Sequence, residues 1–252
     1  MQSTLTETSA KNKRTRILAL AAIAVFLLGR KPLEEAAKVT GNRLKSFKIT
    51  ETDNLVLNDL KITDEVIIRV VGAAEGNLDN KGRKNKSYYG HTDPGDRRHN
   101  LGAFSFSPSR EGQSITDPEK ATDWYLNKRI KPRMKSLITQ AERAGLELNS
   151  LAFLNAVDLA VQSPEAALGW SNGGNKGFLL NLKDLSEGMK KGITNDAILK
   201  ARVESFRNQK IRGEKYQAWT GKQGLIRDQG RRMGEIEDTV KVLIKEQKNE
   251  SN

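Results

Sequence analysis

The chain of 252 residues contains no cysteine and only two histidines, His91 and His99. The first absence removes disulfides, thiolate zinc sites and a cysteine nucleophile together, and it leaves the compartment open. No G-x-S-x-G elbow, Walker loop or G-x-G-x-x-G fingerprint is present. The run NGGNKG at 172–177 has no preceding strand and reads as a loop. Aromatic residues make up only 6% and the basic residues are scattered, so the interleaved basic and aromatic face of a nucleic-acid binder is missing. Nucleic acid is therefore not an expected partner, and no cofactor is expected. Long apolar runs are also scarce. The strongest, ILALAAIAVFLLG at 17–29, has 13 residues, short of the roughly 20 that span a bilayer as a helix.

What is present is a soluble, globular composition, 37% hydrophobic and 29% charged. The formal charge is +12. Lys11, Lys13, Arg14, Arg16, Arg30 and Lys31, less Glu7, carry +5 of it, and the remainder is spread over the body. A basic body favours polyanions, including nucleic acid, anionic lipid and an acidic cell wall, without choosing among them. The basic residues before 17–29 suit a cytoplasmic start, and basic flanks on both sides argue against deep burial. A cut at Ala22-Ile23-Ala24 would halve the apolar core. The segment is read as an uncleaved signal anchor, a transmembrane helix holding the rest at the periplasmic or exterior face. A cleaved signal peptide of a secreted protein and a buried helix are the alternatives. The expected organisation is a basic tail at 1–16, the apolar segment at 17–29, a linker at 30–58 and one domain at 59–252.

That domain reads as mainly α with a small antiparallel β-region. Thr63 or Asp64 caps a helix, with Glu65 in its first turn. Val66, Ile67, Val70, Val71 and Ala74 fall on one face, and Gly76 ends it. From Asn77 to Pro108 turn signals dominate, and KSYYG and GAFSFS are strand-like pieces of a small sheet or hairpin. Helices are then expected near 117–144, 149–161, 178–190, 194–207, 213–219 and 225–246. Pro118 sits at a first helical position, and Pro132 should kink or interrupt its helix.

Glu75 is the leading candidate for chemistry. It stands where the helix dipole disfavours a second negative charge, and Val71 and Ala74 would add desolvation. Both effects raise a carboxyl pKa toward what a general acid requires. Asp93 and Asp96 follow in the polar region, and either could be the second carboxylate of a glycosidase. An ordinary turn is the alternative reading of Asp93-Pro94-Gly95. His91, Asp93, Asp96 and His99 also form a possible metal set, but Arg97 and Arg98 lie between the ligands and oppose a dication. Tyr88 and Tyr89 could stack on sugar rings, and His91, Thr92, Asn100 and Ser105 could contact substrate. Phe104 and Phe106 read as a buried face. Asn155, Asp158 and Gln162 form a polar stripe on an apolar helix, lining a cleft or facing water. Asp228 with Arg231 or Arg232 reads as a structural ion pair.

AAEG closing a helix, followed by YYGHTDPGD and NLGAFSFS, resembles the active-site region of the lysozyme-like superfamily. YGHT is similar to the GxGHT-like run of phage-type lysozymes, and GAFSFS to the G-x-F-Q strand of transglycosylases. The likeness covers Thr63 to Ser107. Arg83 or Lys84 stands where the phage-type pattern has its Asp, and Ser107 where the transglycosylase strand has Gln. The resemblance implies a lysozyme-like helical domain whose catalytic glutamate is Glu75. The expected activity is hydrolysis of a β-1,4-linked amino-sugar polymer, peptidoglycan before chitosan. A non-catalytic envelope protein binding glycan or a partner on the same fold is the alternative.

Overall fold

The structure, a computed structural model, describes residues 55–57, 60–93, 96–169, 175–187, 192–207, 210–211, 214–215 and 221–250. All lie in the compact unit Thr52–Asn252. Strand β1 (Leu55–Leu57) pairs antiparallel with β2 (Leu60–Ile62), Leu55 opposite Ile62. Helix α1 (Asp64–Glu75) follows at once. Thr63 caps it by accepting the Val66 N–H at 3.3 Å, and Asp64 and Glu65 occupy the first turn. Val66, Ile67, Val70, Val71 and Ala74 are buried, as their spacing predicts. Gly76 ends the helix with φ at 79°, the left-handed conformation that costs glycine least.

The region after α1 departs from the sequence reading. KSYYG is not a strand; Lys86–Tyr89 is a 3₁₀ turn, closed by the Gly90 N–H on the Ser87 carbonyl. The sheet is smaller than predicted, with β3 (His91–Thr92) antiparallel to β4 (His99–Asn100) and His91 opposite Asn100. GAFSFS is not a strand either. Leu101 and Phe106 exchange backbone hydrogen bonds at 2.9 Å, and the residues between form a tight turn. Two positive φ angles, 76° at Gly102 and 52° at Ser105, are incompatible with an extended strand. Phe104 and Phe106 still both enter the core, Phe104 stacking on Tyr125 at 5.9 Å and Phe106 edge-on to Trp124 at 5.4 Å.

The remainder is helical: α2 (Pro108–Glu111), α3 (Pro118–Tyr125), a π-helical turn (Leu126–Ile130), α4 (Lys131–Ala144), α5 (Ser150–Gln162), α6 (Pro164–Leu168), α7 (Phe178–Ser186), α8 (Asn195–Arg207) and α9 (Gly221–Glu250). The helix expected over 117–144 is interrupted just before Pro132 by the π-helical turn Leu126–Ile130, and α4 then runs on through the proline. The wide turn before it, with the Lys131 N–H on the Leu126 carbonyl, absorbs the missing donor and the crowding of the proline ring. The helix expected at 213–219 is replaced at 214–215 by strand β6 (Glu214–Lys215), paired with β5 (Lys210–Ile211). Gly213, between them in sequence, is the residue that disfavours the expected helix.

Helix α5 is the axis of the core. Every residue from Ala152 to Ala160 is buried, the pattern of a helix surrounded on all sides. Helices α1, α4, α8 and α9 pack against it, and α9 also runs against α1. The chain is thus mainly α with small two-stranded antiparallel sheets.

The expectation of a signal anchor acting as a transmembrane helix is corrected. Among the described residues no helix is long and apolar enough to cross a membrane. The apolar segment 17–29, its basic tail and most of the 30–58 linker lie outside the described residues.

Gly102 fastens the β-region to α3. Its N–H donates to the Tyr88 carbonyl at 2.8 Å, and the neighbouring Ala103 N–H donates to Thr122 Oγ1 at 3.0 Å. A Cβ at Gly102 would meet the Pro118 carbonyl oxygen at 2.9 Å. Gly102→Ala is therefore expected to destabilise the fold by about 1–3 kcal/mol, read as a lower urea midpoint with unchanged slope. An unchanged midpoint would mean that this close approach is not a constraint.

Candidate active site

Glu75 is the last residue of α1, and the elements around it converge on its side chain and on the carbonyls at the helix end. The Gly76 carbonyl accepts from Asn85 Nδ2 at 3.1 Å and from Ser87 Oγ at 2.9 Å. These bonds tie the β-region to the end of α1. Glu75 Oε2 accepts from Ser105 Oγ at 3.0 Å, and Ser105 Oγ accepts from Asn77 Nδ2, also at 3.0 Å. Asn77 is fully buried, and the same Nδ2 donates to the Ala103 carbonyl at 3.1 Å. The left-handed backbone at Ser105 presents its hydroxyl to the glutamate. Such conformations in non-glycine residues cost on the order of 1–3 kcal/mol and cluster at working sites.

The other oxygen, Oε1, is ion-paired with Arg232 of α9. Arg232 also has partners beyond Glu75. Its Nη2 donates to Asp158 Oδ1 at 2.6 Å and its Nε to Asp158 Oδ2 at 3.1 Å. Asp158, on α5, is completely buried and also accepts from Arg202 Nη2 of α8 at 2.7 Å. Arg202, equally buried, directs its other donors to the Asn155 carbonyl at 2.9 Å, Asn155 Oδ1 at 3.0 Å and Gln229 Oε1 at 2.8 Å. The result is an alternating row of charges, Arg202, Asp158, Arg232 and Glu75, sealed at the Arg202 end. It opens at Glu75, whose side chain is 14% exposed.

A second polar rung lies one turn along both helices. Gln162, four residues after Asp158, donates to Asp228 Oδ2 at 3.3 Å, and Gln229 Nε2 donates to the same oxygen at 3.1 Å. Arg231 approaches Asp228 Oδ1 at 3.4 Å and donates to the Ala74 carbonyl at 3.2 Å.

Electrostatics follow from these contacts. Burial alone would raise the Asp158 carboxyl, but Arg232 and Arg202 outweigh it and hold it below the ordinary aspartate value. Burial works against the Arg232 charge, yet Asp158 and then Glu75 hold its guanidinium above its usual range. Burial shifts Arg202 downward against the pull of Asp158. A guanidinium stays charged under such a shift.

The predicted site residues separate into two groups. Glu75 and Ser105 are brought into direct contact. The environment of Glu75 differs from the apolar one expected, because a guanidinium and a hydroxyl meet its carboxylate. Asp96 lies on the exposed turn beyond β3, with the Arg98 N–H on Oδ1 at 3.0 Å and Arg110 on Oδ2 at 2.5 Å. Desolvation of Asp96 is outweighed by these two partners, which lower its pKa. Asp93 closes the same turn through its backbone, its N–H on the Arg98 carbonyl and its carbonyl accepting from Arg97. Tyr88 is in the core, 2% exposed, with its hydroxyl 3.5 Å from Thr122 Oγ1, and burial pushes its phenol up to about 12. Tyr89, 65% exposed, is the ring of the pair that a ligand can reach. His91 Nδ1 contacts the Ser87 carbonyl at 3.0 Å, Thr92 is exposed, and Asn100 is buried rather than on a cleft wall. Among the described residues no group of three or more His, Cys, Asp or Glu could hold a metal ion.

The sequence reading missed Asn77, Arg202 and the reach of Arg232 to Glu75. Arg202 carried a signal: it falls beside Ile198, Ala201 and Phe206 on the buried face of α8. Asn155 and Asp158 of the α5 stripe face inward, to Arg202 and Arg232, while half-buried Gln162 meets Asp228 and Gln229. Compared with known proteins, the chain matches no family model, no curated protein and no solved structure.

Removing the Asp158 charge leaves two buried guanidiniums facing each other. Asp158→Asn is expected to cost about 3–5 kcal/mol at neutral pH. The Asp158 pKa is depressed in the folded state, so its stabilisation is fully present above the unfolded value of 3.8 and is lost as pH falls through the folded value. The stability gap between wild type and Asp158→Asn, measured by urea unfolding across pH, should therefore be largest near neutrality and narrow in acid. A gap under about 1 kcal/mol at pH 7 would contradict this account of the row.

Proposed function

We propose that this chain is a glycoside hydrolase of lysozyme-like fold that cleaves a β-1,4-linked amino-sugar polymer, with peptidoglycan favoured over chitosan. The observation that carries the reading is the Glu75 carboxylate at a helix end, part-exposed, held on one oxygen by Ser105 and on the other by Arg232. A general acid must be fixed in direction and must pass between protonated and ionised forms without disrupting its surroundings. Both conditions are supported by its partners. When Glu75 carries a proton, Arg232 keeps two hydrogen bonds to Asp158. The Ser105 hydroxyl can rotate to accept instead of donate.

In this reading Glu75 protonates the leaving glycosidic oxygen as the bond to the anomeric carbon breaks. A second carboxylate then serves as base or stabilises the developing positive charge. Asp96, whose ionised form Arg98 and Arg110 favour, is one candidate for that second role. Asp93 remains the other candidate. Exposed Tyr89 offers a stacking face for a sugar ring, with His91 and Thr92 beside it. The basic body would aid association with an anionic wall, and the place of action on this reading is the periplasm or the cell exterior.

The non-catalytic reading, a glycan- or partner-binding protein on the same fold, is favoured by one observation. Both oxygens of Glu75 already have partners within the protein, as a purely structural carboxylate would.

Glu75→Gln separates the two. It keeps the shape and a hydrogen-bonding group but cannot supply the proton. The expected result is a loss of wall-clearing activity of about 100-fold or more, with the fold retained by circular dichroism. Equal clearing by both proteins would remove Glu75 from the acid role. Glycan binding without cleavage by the wild type would favour the non-catalytic reading.

A further inference from the structure

Two adjacent arginines of α9 meet the end of α1 in opposite ways. Arg232 is 6% exposed on its side chain and committed, with three contacts to Asp158 and Glu75. Arg231 is 48% exposed and loosely held, by the Ala74 carbonyl at 3.2 Å and Asp228 Oδ1 at 3.4 Å. Asp228 does not rely on that long contact, because Oδ2 takes amide N–H groups from both Gln162 and Gln229. Arg231 can therefore turn toward an anion without stripping the half-buried Asp228 carboxylate of its partners. Guanidinium has five N–H donors in a planar fork that matches a carboxylate edge to edge, and only two contacts engage it here. The carbonyl that tethers it belongs to the residue before Glu75, so this half-open cation is fixed beside the candidate acid. The charges deeper in the row, Glu75, Arg232, Asp158 and Arg202, already balance one another.

We infer that Arg231 is a specificity-determining residue that binds a carboxylate carried by the sugar polymer next to the bond at Glu75. This rests on the glycosidase reading and narrows it. The preferred substrate is an amino-sugar strand bearing an acidic substituent, such as a lactyl carboxylate. Neutral chitin lacks the group that Arg231 recognises, and the cationic polymer chitosan would be repelled by it. The pairing adds affinity because a charge-assisted, bidentate contact is stronger than a hydrogen bond between neutral groups.

The test uses the whole chain and two glycans of matched length: peptide-free wall glycan with free lactyl carboxylates, and a neutral chitin oligomer. Calorimetry gives the two dissociation constants, and product analysis gives the two cleavage rates. Wild type should prefer the carboxylate-bearing strand. Arg231→Gln should weaken that strand by about tenfold or more while leaving the chitin oligomer within about twofold, and Arg231→Lys should fall between. An equal loss for both glycans would mark Arg231 as merely structural and overturn the inference, as would an unchanged preference or no binding of either glycan. Selective binding without cleavage would instead sustain Arg231 and count against the glycosidase reading alone.

Discussion

A carboxylate with no access to water organises this molecule. Asp158 lies at 0% exposure in the middle of the most buried helix, where an unpaired charge would cost several kcal/mol. Two guanidiniums from different helices answer it, Arg202 from α8 and Arg232 from α9. Meeting that requirement fixes how α5, α8 and α9 pack, and the spare donor of Arg232 extends the constraint to the end of α1. The pair itself is weak grounds for net stability, since well-packed apolar residues often serve as well. Its consequence is directional: it fixes the guanidinium against which the Glu75 carboxylate rests.

The other side of Glu75 is set by backbone rather than by charge. Ser105 is held in a left-handed conformation by the closed turn Leu101–Phe106, and Gly102 lets that turn press against α3. Asn77, the second residue after the helix, bonds both the turn backbone and the Ser105 hydroxyl. A helix end, a strained turn and a buried ion row thus each contribute one constraint to a single carboxylate.

Much of the helical frame was legible because its signals are local. The capping Thr63, the five-residue apolar face of α1 and the terminating Gly76 specify that helix without reference to anything distant. The small β-region was not legible in detail. Phe104 and Phe106 are spaced like strand residues, yet a tight turn buries both, because the fold needs Ser105 aimed at Glu75 and Gly102 against Pro118. The interruption expected at Pro132 takes the form of a π turn just before it. For the site, Glu75 and Ser105 were nameable from residue type and position. The stripe Asn155, Asp158 and Gln162 was visible, but its direction was not, because its partners lie 44 and 74 positions away. Long-range ion pairs leave no periodicity to read.

The central claim is that the carboxylate held between Ser105 and Arg232 faces the bond that is broken. The most direct measurement is a crystal structure of Glu75→Gln with an uncleaved amino-sugar oligomer bound. The account predicts a glycosidic oxygen within hydrogen-bonding distance, roughly 3 Å, of the substituted side-chain amide, with the Arg232–Asp158 pair intact behind it. An oligomer lodged elsewhere, with position 75 still closed off by Ser105 and Arg232, would contradict it.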